Sequence, residues 1–182
     1  GTWREIQDKL VVPKNQLIEL TKGSLTLGNL IVEPFAVSHD AADPIGINVF
    51  SGNDKATVVT DTGIISDDIL HRLDDSTLLV LEANYDPHML RFGPYQPFLK
   101  QRVASDEGHL SNEMAAQALL MMKRPDFMQV ILAHRSENNN NAVLVTQTIG
   151  KMLVDGGVRI GPEMKLQHGQ PNEIVSMQSV KR

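Results

Sequence analysis

Residues 55–63 read Lys-Ala-Thr-Val-Val-Thr-Asp-Thr-Gly, and this stretch decides the fold. The β-formers at 57–60 predict a buried strand that stops at Asp61. A carboxylate at the carboxyl end of a buried strand lies where α/β folds place their chemistry. Considered alone, however, Asp61 is more typical of a residue that closes a turn, so the rest of the chain has to decide between the two interpretations.

The residues after this strand predict a turn followed by a helix. Gly63 favours a sharp turn, and Ser66 can cap a helix over 67–73. Strands that end in polar residues alternate with helices along the chain, which predicts an α/β fold with its strand ends at one rim. The remaining predicted strands cover 30–37, 45–50, 77–81, 127–133 and 158–160, after a hairpin arm at 23–28, and the remaining predicted helices cover 2–10, 112–122 and 138–154.

Composition limits the classes of protein to which the chain can belong. Its 182 residues are 41% hydrophobic, enough for a core, and include no cysteine, which excludes disulfides and thiolate metal sites. The formal net charge of −5 excludes a polycation that coats nucleic acid unaided. No apolar run is long enough to span a membrane and no signal peptide is visible, so we expect a cytoplasmic protein with no membrane partner.

Residues 87–103 differ from the rest because prolines and aromatic residues are interleaved there with basic ones. The prolines predict a broken helix that lies over the fold. Stacking and charge together are typical of a path for a nucleic-acid strand. A packed surface lid is the alternative, and the acidic character of the whole chain slightly favours it. The aromatic and basic residues are Arg91, Phe92, Tyr95, Phe98, Lys100 and Arg102.

Imidazole and carboxylate side chains stand at the ends of predicted strands and at one helix start. These two ligand types together suit zinc, iron or manganese. Each histidine taken singly is more typical of a hydrogen-bonded structural residue, and the long spacing forms no local metal motif. A shared rim would nevertheless make the five residues neighbours. They are His39, Asp61, Glu82 and His134 at strand ends and His109 at the helix start.

Five blocks that contain these residues occur in a specific order. Together they resemble the metallo-β-lactamase fold, and within it most closely the YycJ/WalJ branch of bacterial hydrolases. The set of five is specific, whereas one block alone is not. The blocks are Val-Ser-His-Asp-Ala-Ala at 37–42, Thr-Asp-Thr-Gly at 60–63, Leu-Glu-Ala-Asn-Tyr-Asp at 81–86, Gly-His-Leu-Ser-Asn at 108–112 and Leu-Ala-His-Arg-Ser-Glu-Asn-Asn at 132–139.

The resemblance implies an αββα sandwich with two divalent metal ions, zinc or manganese, at its rim. It implies that His39 is a ligand of the first ion and His134 a ligand of the second, with Asp61 bridging both. One carboxylate has two oxygens and is able to hold two cations a few ångströms apart. A bridging water made acidic by both cations would be the nucleophile.

The resemblance also implies a proton-handling pair, by similarity to the tRNase Z and PhnP relatives. Glu82 would orient His109, and His109 would stabilise or protonate the leaving oxygen. Contacts with the substrate phosphate are predicted for four further residues, although capping of two helices is an equally good interpretation because Ser and Asn are favoured caps. The four residues are Ser111, Arg135, Asn138 and Asn139.

One block of the family is missing. The block His-x-His-x-Asp-His, which supplies four metal ligands in the family, does not occur in residues 1–182. We therefore expect residues 1–182 to form a single metallo-β-lactamase-like domain that is the C-terminal part of a longer protein and is incomplete on its N-terminal side. Three ligands spread over two sites would bind metal weakly. Half of a sandwich would leave apolar sheet surface exposed, which favours self-association or association with a missing half.

The sequence and the resemblance are consistent with two functions of different classes. The first is a metal-dependent phosphodiester hydrolase, a DNA exonuclease in its full-length form, with nucleic acid as its partner and little activity in this chain alone. The second is a non-catalytic fragment or degenerate module that binds a partner. A small-molecule phosphodiesterase is a third interpretation. An open basic groove near Arg91, Lys100 and Arg102 would favour a polymeric substrate, whereas a closed pocket would favour a small one.

Overall fold

The computed structural model of the chain describes residues 6–16, 18, 23–170 and 173–176. Within them, 7 strands form one sheet, in the order in which they occur along the chain. The strands are β1 (Leu25–Leu27), β2 (Leu30–Ala36), β3 (Ile45–Ser51), β4 (Asp54–Val59), β5 (Leu78–Glu82), β6 (Met128–Ala133) and β7 (Met164–His168).

The sheet has an antiparallel half and a parallel half, which meet at β4. Strands β1 to β4 pair antiparallel through short connections. Strands β4 to β7 pair parallel, and parallel neighbours need crossover connections, which are supplied by helices. Because β2 and β4 are both antiparallel to β3, the carboxyl ends of β2, β4, β5 and β6 lie at one edge of the sheet.

The helices occupy the connections between the parallel strands. A side-chain oxygen of Ser66, Ser111 or Asn141 accepts a backbone N–H at the start of three of them, which stabilises their first turns. None of the helices among the described residues is long and apolar enough to cross a lipid bilayer. The helices are α1 (Asp67–Leu73), α2 (Pro87–Phe92), α3 (Pro97–Val103), α4 (Asn112–Met121) and α5 (Ala142–Asp155).

Most predicted elements are confirmed, but one predicted boundary and one predicted strand are wrong. The predicted helix at 138–154 begins only at Ala142, because the amide of Asn140 bonds to distant partners instead of continuing a helix. The predicted strand at 158–160 is replaced by β7, and Ile160 makes only an isolated bridge. The predicted helix at 2–10 begins outside the described residues, and its last part is a 3-10 helix at Gln7–Lys9.

One face of the sheet is covered by α1, α4 and α5. Alternate residues of the central strands point to that face and meet apolar helix residues. Removing this apolar surface from water is the main favourable contribution to folding. The almost fully buried residues are Val59, Leu79, Leu81, Val130 and Leu132 on the strands and Leu73, Leu119, Ile149 and Leu153 on the helices.

The opposite face of the sheet is apolar but less covered. Ile47, Val58, Val80 and Ile131 form one row across four strands. Val58 is 39% exposed, and the other three side chains are partly exposed. The expected exposure of apolar sheet surface is thus present on this face.

Candidate metal centre

Strand ends bring the predicted site residues together. Asp61 lies just after β4, Glu82 is the last residue of β5, and His134 follows β6 directly. His39 lies after β2, and His109 lies in the loop before α4. Because these strand ends share one edge of the sheet, residues that are distant in sequence become neighbours there.

Asp61 and His134 have a backbone conformation that favours glycine. Their φ angles are 56° and 53°, and among the described residues Asp75 is the one other non-glycine residue with positive φ. A left-handed conformation costs a non-glycine residue roughly 1–2 kcal/mol, and such strain is concentrated at functional sites. The fold therefore holds two predicted ligands in conformations that their own side chains disfavour.

Glu82 is a buried carboxylate whose two oxygens both have partners. The side chain is 0% exposed, and Oε1 accepts hydrogen bonds from Nδ1 of His109 at 2.8 Å and from Nδ1 of His134 at 2.7 Å. Oε2 accepts the backbone N–H of Thr62 at 3.1 Å. Burial raises the pKa of Glu82, but the hydrogen bonds from the two histidines outweigh burial, so the pKa is lowered. Glu82 is therefore ionised and orients both rings.

Hydrogen bonds at Nδ1 decide which nitrogen of each ring faces the rim. An ionised carboxylate only accepts, so Nδ1 of His109 and Nδ1 of His134 donate, and Nε2 of each ring is directed elsewhere. In His39, Nδ1 donates to the carbonyl oxygen of Gly108 at 3.0 Å. Metal-binding histidines are typically held in this way, with one nitrogen anchored and the other available.

Asp61 lies where the rings converge. Its Oδ1 is 3.4 Å from Nε2 of His134 and 3.9 Å from Nε2 of His39. The ring of His109 lies between the other two rings, with a centroid distance of 5.1 Å to each. The pKa of His134 is raised, chiefly by its hydrogen bond to Glu82, because the carboxylates favour the charged imidazole. The structure thus brings all five predicted residues to one point.

The donor set fits a divalent metal ion. Ligand atoms of His39, Asp61 and His109 lie within 4.8 Å of one another. Two ligands bound to one zinc ion at about 2.0–2.1 Å in tetrahedral geometry are roughly 3.4 Å apart, which is close to the separation of Asp61 and His134. Glu82, His109 and His134 form a second compact group, but there the direct hydrogen bonds to Oε1 leave no room for an ion.

Residues 2–134 match the model of the β-lactamase superfamily domain. The chain belongs to the β-lactamase superfamily. It is 32% identical over 181 residues to the exodeoxyribonuclease YycJ of Bacillus anthracis, a match that covers 98% of this chain and 69% of that protein. It is 31% identical over 176 residues to the exodeoxyribonuclease WalJ of Streptococcus pneumoniae serotype 2, which covers 94% of this chain and 65% of that protein.

Solved structures confirm the predicted metallo-β-lactamase fold for this member of the β-lactamase superfamily. The metallo-β-lactamase fold protein YhfI of Bacillus subtilis aligns with a TM-score of 0.64 at 12% identity, over 93% of this chain and 59% of that chain. Zinc-bound PqqB of Methylobacterium extorquens aligns with a TM-score of 0.52 at 15% identity, over 81% of this chain and 48% of that chain. At these identities the likeness concerns the fold alone.

An ion pair that the sequence does not predict ties the centre of this β-lactamase superfamily domain to α3. Nε and Nη2 of Arg102 both donate to the carboxylate of Asp40, the second at 2.9 Å. These hydrogen bonds lower the pKa of Asp40. Asp40 adjoins His39, and its Oδ1 lies 3.5 Å from Nε2 of that ring. The ion pair therefore links α3 to the loop that carries a predicted ligand.

An open cleft of about 920 Å³ leads away from the centre. It is lined by His109 and His134, by residues of α3 and by the loop after β6. Of the three basic residues near which an open groove was expected, Arg102 lies in the lining of this cleft, whereas Arg91 and Lys100 lie outside it. Its lining includes Tyr95, Leu99, Arg102, Arg135 and Asn138.

The four residues predicted to contact phosphate fall into two groups. Arg135 and Asn138 line the cleft, and Nη1 of Arg135 is buried with no hydrogen-bond partner among the described residues. Ser111 is buried, and its Oγ accepts the backbone N–H of Met114 at 3.2 Å as the cap of α4. Asn139 is 0% exposed and lies outside the cleft lining. The cleft therefore offers Arg135 and Asn138 to a ligand.

Buried asparagines hold the loop after β6, and the sequence interpretation gave them no role. Nδ2 of Asn84 donates to the carbonyl oxygen of His134 at 2.8 Å. Nδ2 of Asn140 donates to the carbonyl oxygen of Ala83 at 3.0 Å and to Oδ1 of Asn112 at 2.8 Å. Each asparagine lies in or beside one of the five sequence blocks. Buried amides that are hydrogen-bonded hold the backbone around them in one conformation.

Proposed function

We propose that this protein is a metal-dependent phosphodiester hydrolase and, in its complete form, a DNA exonuclease. The observation that carries the proposal is the convergence of three histidines, each anchored through Nδ1, on the carboxylate of Asp61. Membership of the superfamily supports a hydrolase, and the exodeoxyribonuclease relatives support DNA as the substrate. In the proposed site His39, Asp61 and His134 would hold the divalent ions.

The residues of the chain prepare this site before any ion binds. Two divalent ions, zinc or manganese, would supply Lewis acidity toward water and phosphate. Glu82 turns the ring of His134 so that Nε2 faces Asp61, and the carbonyl of Gly108 does the same for His39. Side chains fixed in this way bind a metal with little loss of conformational freedom.

His109 is the proposed general acid. In an in-line displacement the departing oxygen lies opposite the attacking water, so the proton donor has to stand apart from the nucleophile. Nδ1 of His109 donates to Glu82, so the ring is anchored through Nδ1 and Nε2 is the nitrogen that would carry the donated proton. Because His109 also belongs to a group that fits a metal, its alternative role is that of a ligand, and metal content distinguishes the two roles.

The open cleft beside the centre supports a polymeric substrate. Arg135 and Asn138 lie in its lining and are able to donate hydrogen bonds to phosphate oxygens, whereas the charge of Arg102 is already paired with Asp40. We assign Arg135 and Asn138 to phosphate binding. Ser111 and Asn139 are buried, and we assign them to support of the loops that border the cleft.

The test uses the protein expressed from its complete reading frame and end-labelled DNA oligonucleotides. We expect nucleotides to be released from a DNA end with Mn²⁺ or Zn²⁺, and this activity to be lost in EDTA. Asp61→Asn should lose both activity and bound metal. The matched control is Asp75→Asn, because Asp75 has the same residue type and a φ of 58° but pairs with Lys123. Equal activity of the two variants, or cleavage that persists in EDTA, would contradict the proposal.

Residues 1–182 alone are expected to have little activity, since the four-ligand block is absent from them. Robust metal-dependent cleavage by the purified chain, abolished by Asp61→Asn, would contradict that expectation while supporting the hydrolase. Hydrolysis of bis(p-nitrophenyl) phosphate without DNA cleavage would favour the small-molecule phosphodiesterase. Tight binding of a protein partner without either activity would favour the non-catalytic module.

A further inference from the structure

Helices α2 and α3 and the residues between them present exposed or partly exposed aromatic and basic side chains beside the cleft. We define Arg91, Phe92, Tyr95, Phe98 and Lys100 as the α2–α3 surface. Phe92 is 67% exposed and Phe98 is 71% exposed, although the other three phenylalanines of the chain are buried or partly buried. Two large apolar rings exposed within one short segment indicate a binding surface.

This surface is basic within an acidic protein. Residues 87–103 include Arg91, Lys100 and Arg102 and no Asp or Glu, whereas the chain as a whole has a net charge of −5. Arg102 is neutralised by Asp40. The other two cations contact neutral groups: Nζ of Lys100 donates to the backbone carbonyl of Arg91 at 2.8 Å, and the guanidinium of Arg91 lies 5.3 Å from the ring centroid of Phe92. Their charge therefore remains available to an anion.

A small hydrophobic cluster holds the surface in place. Tyr85, Leu90 and Val103 form this cluster, and Tyr95 and Leu99 pack against it. Each helix also begins with a proline, whose fixed φ suits the first helical position. A surface that is already ordered loses little conformational freedom when it binds a ligand.

The surface continues into the metal centre. Tyr95 lines the same cleft as His109 and His134. Phe98 precedes Arg102 by one helical turn, so the two residues share a face of α3, and Arg102 lies in the cleft lining. A polymer that contacts the exposed rings is therefore able to extend directly toward the centre.

We propose that the α2–α3 surface binds single-stranded DNA and guides it into the metal centre. The proposal rests on the proposed function and narrows its substrate to an unpaired strand. Every base has a flat face that stacks on an aromatic ring, so the rings bind bases without regard to sequence. Arg91 and Lys100 neutralise phosphates of the same strand. Inside a duplex the bases are already stacked on one another, so the rings would find a base face only at a terminal pair.

Binding measured in EDTA separates this proposal from catalysis. Fluorescence anisotropy of labelled oligothymidylate and of a blunt duplex of equal length gives both affinities for the protein from its complete reading frame. Because stacking on one aromatic ring contributes a large share of the affinity for each base, Phe92→Leu combined with Phe98→Leu should weaken single-strand binding by about tenfold or more. Duplex binding should change much less, because a blunt duplex offers a base face only at its ends. Leucine keeps the apolar bulk and removes the aromatic face.

Charge variants and matched controls sharpen the result. For single-strand binding, Arg91→Gln and Lys100→Gln should each reduce the magnitude of the slope of log association constant against log salt concentration by about 0.7. Met121→Ala and Val154→Ala remove exposed apolar side chains elsewhere, since these two residues are 67% and 58% exposed. They should leave both affinities unchanged. Melting curves of every variant verify that it is folded.

Each outcome decides the proposal. Unchanged single-strand affinity in the folded leucine variant would overturn it, even if metal-dependent cleavage persists and the proposed function stands. Equal losses on single strand and duplex would also overturn it, because the rings would then not distinguish unpaired bases. Ring-dependent binding of single strands by a protein that fails to cleave DNA with Mn²⁺ would support the surface and contradict the proposed function.

Discussion

The candidate metal centre and the α2–α3 surface, which reaches the same cleft through Tyr95, are built in opposite ways. In the centre, Glu82 is 0% exposed and each of its oxygens has a partner from another part of the chain. On the surface, Phe98 is 71% exposed. The proposed hydrolysis at a phosphorus atom would need donors held in fixed directions, whereas the proposed binding of a DNA strand would need contacts that tolerate any base. Changes in the centre should therefore alter turnover and metal content, and changes on the surface should alter binding.

The largest effect within this comparison is expected for His109→Ala. General acid catalysis typically contributes about 10²–10⁴-fold, so turnover of the intact protein should fall by that factor while metal content is kept. Turnover and metal stoichiometry are measured together, with His71→Ala, an exposed histidine of α1, as the control. Full activity in His109→Ala, or a loss that accompanies loss of metal or of the fold, would rule out the acid role.

Glu82→Gln should have a smaller effect on turnover, of about 10–100-fold, as expected for a residue that orients others. The amide oxygen of the glutamine is still able to accept from the histidines. Its NH₂ group, however, then faces the backbone N–H of Thr62, so one buried hydrogen bond is lost. The melting temperature of the variant should therefore fall. Glu33→Gln in β2 is the control. The double variant with His109→Ala should be non-additive, because both residues act on one proton. Additive losses in turnover would show that Glu82 and His109 act independently.

The smallest effect is expected for the change in stability of the metal-free protein with pH. The pKa of Glu82 is lowered, so its contribution to stability is present above its unfolded value of about 4.5 and is lost as pH falls through the folded pKa. The pKa of His134 is raised, so its contribution is complete below about 6.5 and is lost as pH rises through the folded pKa.

Melting temperature measured against pH in EDTA should therefore be highest between these limits and decline toward either side. Partial exposure of His134 reduces the size of its effect. His134→Asn should abolish the decline on the alkaline side. With metal bound the alkaline decline should disappear, because ligands bind metal in their deprotonated form. A metal-free protein whose stability keeps rising above neutral pH would show that the Glu82–His134 pair is not the dominant contribution.

The local sequence pattern was sufficient to predict most helices and strands of the fold. The β-formers at 57–60 predict β4, and Ser66 caps α1 at the predicted residue. The start of α5 was predicted too early because asparagines at 138–140 are good helix caps locally, whereas Asn140 is committed to partners 28 and 57 residues away. Tertiary hydrogen bonds therefore override the local preference there.

The candidate residues of the centre were predictable, but their arrangement was not. Strand ends and the resemblance pointed to His39, Asp61, Glu82, His109 and His134, which the structure brings together. Nothing local predicts that one oxygen of Glu82 holds two rings, because these contacts join residues 27 and 52 positions apart. The ion pair between Asp40 and Arg102 spans 62 positions and was missed for the same reason.

The wide spacing of the donors has a consequence for how the protein is made in the cell. The centre draws on positions from 39 to 134, so no short nascent segment contains it. Contacts of such long range form late in folding, after the chain segments that carry them have been synthesised. The donors face one another only when the parallel strands have paired. The proposed metal ions would therefore bind only after the chain has been synthesised and its parallel strands have paired.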